Sequence, residues 1–100
     1  MPAFFCKLVA PRATFAQDMS AVEAAVMGEH VAYWKHLIDQ GTRVFALGPV
    51  LDPAGAFGVA IVEAADEPAI RAMLEMDPAI AADMGMRYEV HSMPRGVLHG

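Results

Sequence analysis

One cysteine, Cys6, is the whole thiol content of this 100-residue chain. A lone thiol cannot close an internal disulfide, so the sequence points to a reducing compartment, the cytoplasm. No apolar stretch comes near the roughly 20 residues that a spanning helix requires. The opening Met1-Pro2-Ala3-Phe4-Phe5-Cys6-Lys7 has no basic leader, and Lys7 interrupts its apolar run. Neither a membrane span nor a signal peptide is expected. Charge is scarce as well, at 19% of residues, and the 7 Lys and Arg are outnumbered by 12 Asp and Glu, for a net charge of −5. The first fifty residues are balanced; in the rest only Arg71, Arg87 and Arg95 stand against eight acids. With no basic stripe to follow a phosphate backbone, nucleic acid is not an expected partner. No G-x-S-x-G, phosphate loop or dinucleotide fingerprint is present, so no cofactor is implied. His30 and His36 are six apart, about 120° around a helix, whereas a helical zinc pair needs four-residue spacing on one face. His91 falls on a strand and His99 in the tail, so no metal site is expected either.

What is present is apolar: 56% of residues, enough to build a core and to exclude intrinsic disorder. The length suits one domain, residues 1–100. Residues 3–9 (AFFCKLV) form an unbroken aromatic and aliphatic run that reads as a strand, and residues 11–15 follow as a loop. Ser20 and Glu23 have the spacing of a capping box, which starts a long helix; Gly41 supplies its left-handed stop. Residues 43–50 and 57–63 read as two further strands, joined by Asp52-Pro53-Ala54-Gly55, a sequence with turn chemistry. Asp66 caps a second helix with Pro68 in its first turn. Pro78 ends that helix near Asp77, because a residue before proline avoids the α conformation, and one more turn is open to residues 79–84. Residues 86–92 read as the last strand, with a loose tail from Met93.

The order β-α-β-β-α-β is the α+β, ferredoxin-like plan, with a four-stranded antiparallel sheet and both helices on one face. A sheet whose other face meets water alternates apolar with polar residues. These strands do not: Phe4 and Phe5, Ala46 and Leu47, and Ile61 and Val62 put apolar groups on both sides. The open face is therefore expected to pack on a second copy, as a homodimeric α/β barrel.

Two titratable residues point inward. The first helix carries an apolar stripe at Val26, Met27, Tyr33, Trp34 and Leu37, and His30 lies on it. The second carries Ile70, Met73 and Leu74, with Asp77 on the same stripe. An anion at a helix C-terminus opposes the macrodipole and needs a partner. Topology gathers Pro11-Arg12, Gly48-Pro49 and Asp77-Pro78 at one edge, and His30, part-way down the first helix, could face it. Each feature alone has a bland explanation: inward histidines are more often structural than catalytic, Asp-Pro ends helices, and Gly-Pro ends strands. The joint placement of His30 and Asp77 is what carries a functional reading.

In these stretches the chain resembles the YCII-related (YciI-like) family of small dimeric α+β barrel proteins. The matching segments are PRATF (11–15), GEHVAYW (28–34), GPVLDPAGAFGVAIVEA (48–64), DPA (77–79) and RYEV (87–90). The resemblance implies a His–Asp pair as the active site, at His30 and Asp77, and marks Gly48-Pro49 as a further signature. Ser92-Met93-Pro94 lacks the aromatic residue that many relatives carry after the last strand. The expected function is acid/base chemistry, a lyase, elimination or isomerisation step, on a small molecule. His30 would move the proton and Asp77 would hold the other ring nitrogen. Arg12 and the Gly48-Pro49 backbone are candidates for holding the ligand, and Phe15, Trp34 and Phe57 for apolar walls. The alternative is a non-catalytic metabolite-binding or accessory protein in which the pair is structural.

Overall fold

A computed structural model describes residues 1–94; His99 and the tail beyond Pro94 lie outside the described residues. The chain runs β1 (Ala3–Val9), α1 (Phe15–Asp18), α2 (Ala21–Asp39), β2 (Val44–Val50), β3 (Phe57–Glu63), α3 (Glu67–Glu75), α4 (Pro78–Ala81) and β4 (Arg87–Met93). The strands form one open antiparallel sheet in the order β2-β3-β1-β4. This is the ferredoxin-like α+β plan, with two single-turn helices added.

Local chemistry accounts for most boundaries. Both halves of the capping box form at α2: Ser20 Oγ accepts the Glu23 N–H and the Glu23 carboxylate accepts the Ser20 N–H. At its other end Gly41 takes φ +97°, donates to Ile38, and lets the Thr42 N–H reach the Leu37 carbonyl. That paired closure is a Schellman motif, which requires a left-handed residue at Gly41. The 52–55 turn forms as expected, with Ala54 N–H on the Asp52 side chain and Gly55 N–H on the Asp52 carbonyl. Gly55 takes φ +139° and a Cβ there would meet Ala13 at 3.1 Å, so this turn also packs on the segment after β1.

Three expectations are corrected. Residues 11–15 are not wholly a loop, because Phe15 begins α1 and is buried. The helix from Asp66 does not run to Asp77. It ends at Glu75, and Asp77 is the N-cap of α4. Met93 belongs to β4 rather than to a loose tail.

The core lies between sheet and helices. Phe4 and Cys6 of β1, Ala60 and Val62 of β3, Trp34 of α2, and Ile70 and Leu74 of α3 form a single buried cluster. Register places Phe5, Lys7 and Val9 on the opposite face with Val59, Ile61, Glu89 and His91. On that face Phe5 and His91 rings lie 6.0 Å apart, and Lys7 Nζ sits 4.5 Å from the Phe57 ring centre. Among the described residues no helix is long and apolar enough to cross a membrane.

Candidate functional site

Asp77 is the centre of the site, and its position follows from its neighbour. Pro78 is the first residue of α4, and it holds Asp77 extended, at φ −63° and ψ 127°. An extended residue directly before a helix is placed to cap it, and Asp77 Oδ1 accepts the Ala79 N–H at 2.9 Å. The charge thus meets the start of α4, where donors are free, rather than the end of α3, where carbonyls would repel it.

Three side chains complete the carboxylate's shell. His30 and Trp34, four apart on α2, both face it. His30 Nδ1 lies 2.8 Å from Oδ2 and 3.0 Å from Oδ1, and Trp34 Nε1 donates to Oδ2 at 2.9 Å. From β4, the Tyr88 hydroxyl donates to Oδ2 at 2.5 Å. Asp77 is 0% exposed, so four donors replace the water it has lost. Burial alone would push its pKa up; the hydrogen bonds from His30, Tyr88 and Ala79, with the charge of His30, reverse this and hold it below the ordinary carboxylate value. Tyr88 shifts the opposite way: burial first, then the bond to Asp77 and its charge, raise the phenol and keep it a neutral donor.

This shell fixes the imidazole. With Asp77 ionised, Nδ1 is the protonated nitrogen of neutral His30, so Nε2 carries the lone pair. The His30 side chain keeps 11% of its surface exposed, and every buried polar side-chain atom among the described residues has a partner. Nε2 has none, so it is open to solvent. It opens into a cleft of about 500 Å³ that His30 lines, within the size range of small-molecule sites. Leu8, Phe15, Met19, Met27, Val31 and Met86 make most of its wall hydrocarbon, with Gly48, Pro49, Phe57 and Gly58 along the strands.

The residues singled out in the sequence are placed as follows. His30 and Asp77 touch. Gly48 and Pro49 line the cleft beside His30, as do Phe15 and Phe57. Trp34 is not a wall; it is fully buried and spends its N–H on Asp77. Arg12 is held elsewhere, with Nε on Asp18 and both terminal nitrogens on Glu23, at 2.8–2.9 Å. That grip draws the Glu23 carboxyl down to about 2 and lowers Asp18, whose first support is Thr14. Tyr88 is the site residue that sequence reasoning missed. Its only signal was alternation on the last strand, which puts it on the helix-facing side with Val90. Gly58 was missed too. A Cβ there would lie 3.2 Å from Leu8 Cβ, at the cleft wall.

A family model for the YCII-related domain matches residues 4–94, nearly the whole chain. The chain belongs to that family. A comparison with curated proteins finds no match. Within this YCII-related domain the His30–Asp77 contact spans 47 residues of sequence and joins the first long helix to the corner before α4. A carboxylate grips one ring nitrogen while the other faces a mostly apolar cavity.

Proposed function

We propose that this YCII-related domain is an acid/base enzyme acting on a small molecule, by elimination or isomerisation, with His30 as the group that moves the proton. The observation that carries this reading is the half-satisfied imidazole: Nδ1 fixed on a carboxylate with three further donors, and Nε2 bare in a cavity. Asp77 orients the ring and stabilises the imidazolium when it forms. The apolar wall removes competing water and strengthens that charge interaction. Gly48 and Pro49 shape the side of the cleft formed by β2. In the same reading the protein works in the cytoplasm as a homodimer, joined through the open sheet face that carries Phe5, Val59 and Ile61.

The test is solvent deuterium incorporation, read by NMR, at acidic C–H positions of a panel of ketones, enones and lactones. Wild-type protein exchanges at least one compound, and His30→Gln loses about 10²–10⁴ of that rate. Exchange that persists in the variant, or is absent across the panel, overturns the reading.

A second reading rests on a specific feature. Asp77 takes donors from α2, α4 and β4, so it is also a structural junction, as in a metabolite-binding protein without catalysis. Removing Asp77 does not separate the two readings, because it undoes the junction in both. Removing His30 does. If the pair is structural, His30→Gln costs about 3–5 kcal/mol in stability, as expected for a broken buried pair. In the catalytic reading the loss is small, because a pair poised for chemistry carries strain that stability does not need.

A further inference from the structure

Lys35 is the cationic side chain that lines the cleft. Other cations among the described residues are engaged. Lys7 lies over Phe57, Arg12 is held by Asp18 and Glu23, Arg43 pairs with Glu63, Arg71 with Glu67 and Arg87 with Glu89. Among the described residues, Lys35 makes no ion pair, hydrogen bond or ring contact. Asp39, four residues on, is in the weaker order for a helical pair, acid after base, and does not hold it.

Helical geometry explains how Lys35 reaches the cavity. Met27, Val31 and Lys35 follow at four-residue spacing and stack along one edge of α2, with His30 three residues beyond Met27. All four line the cleft. The backbone at Lys35 lies about 7.5 Å farther along the helix than at His30, five residues at 1.5 Å each. The cavity therefore offers a proton acceptor at one place, an unpaired ammonium at another, and hydrocarbon between them.

We propose that the cleft takes an amphipathic organic carboxylate, whose apolar body lies on Leu8, Phe15 and Met27 and whose charge is met by Lys35. This rests on the cleft being the ligand site and adds the charge and layout of what enters. The carboxylate sits several bonds from the atom that His30 serves, so Lys35 selects the ligand and holds its register. With a chain of net charge −5, a cation lining the cleft offsets the repulsion an incoming anion meets.

The test is equilibrium binding followed by amide NMR, using phenylbutyrate against phenylbutyramide and octanoate against octanamide. Lys35→Met keeps the stem length and helix preference at an exposed position, so it folds, and Lys35→Arg restores the charge. At least one acid binds the wild type about tenfold or more tighter than its amide, the usual advantage of a hydrogen bond to a charged group. Lys35→Met brings the acid to near parity with the unchanged amide, and Lys35→Arg keeps the preference. His30→Gln also keeps it, so proton transfer can fail while charge selection stands. Three results overturn the proposal: no acid outperforms its amide, the preference survives Lys35→Met, or it disappears with His30→Gln.

Discussion

Asp77 keeps its charge without water because four donors converge on two oxygens. Its folded pKa lies below the ordinary 3.8, so the sign of its linkage is set. The stability it contributes is fully present above that value and is lost as pH falls through the lower, folded value. Tyr88→Phe removes one donor while keeping the ring in the sheet. The expected result is a loss of about 1.5–3 kcal/mol at neutral pH, the scale of a hydrogen bond to a charged group. The acid limb of the stability curve should also move toward higher pH, because the carboxylate is held less tightly. Thermal melts of both proteins from pH 7 downward check both effects, and an unmoved acid limb would show that Tyr88 does not support the charge. Cys6, by contrast, is a silent thiol, raised to about 11 by burial against the opposing charge of Arg71.

The start of α2 is a second charged assembly, and here the element is the natural unit. Arg12 bridges Asp18 at the end of α1 and Glu23 in the first turn of α2. Glu23 Oε1 receives both Arg12 and the Ser20 N–H, so the capping box and the bridge share one oxygen. The bridge ties the end of α1 to the first turn of α2, beside Phe15 and Met19 of the cleft wall. Glu23 is drawn from the usual 4.5 to about 2, so its contribution is present above about 4.5 and lost as pH falls through about 2. In an Arg12→Met variant the Glu23 carboxyl should titrate closer to 4.5 by carbon-detected NMR. The variant should melt lower than wild type at neutral pH, with the gap closing in acid. A Glu23 titration unchanged by the substitution would detach Arg12 from the cap.

At the scale of the whole molecule, the sheet has one face under helices and one without. The uncovered side is mixed: Phe5, Val9, Val59 and Ile61 lie among Lys7, Glu89 and His91. Ile61 sits in the middle strands of this face, opposite Phe5 on β1 and Ala46 on β2. If two copies meet there, Ile61→Lys places like charges across the interface, which costs far more than it does on a free surface. The expected outcome is a wild-type dimer and a folded monomeric variant by sedimentation equilibrium, with unchanged far-ultraviolet circular dichroism. A monomeric wild type, or a variant that stays dimeric, removes this face as the interface. Val59 is a poorer choice for this test because it also borders the cleft.

By itself the sequence determined whatever depends on near neighbours along the chain. The Ser20–Glu23 cap, the Gly41 stop, the Asp52–Gly55 turn and the strands at 3–9 and 57–63 all form where spacing and turn chemistry put them, because periods of 3.6 and 2 are local properties. The same helical period turned His30 inward; Asp77 lies beyond the end of α3, and its place comes from capping α4. Tertiary structure decided what those residues meet. Whether Asp77 ended one helix or began another depended on where α3 stopped, and it stops at Glu75 with Met76 as its cap. Tyr88 joins the carboxylate only because β4 pairs with β1 and brings its helix-facing side beneath α4, and Trp34 becomes a donor only because α2 presents it beside His30. Those contacts bridge 11 to 47 residues, and no local periodicity encodes a distance between segments that strand pairing alone brings together.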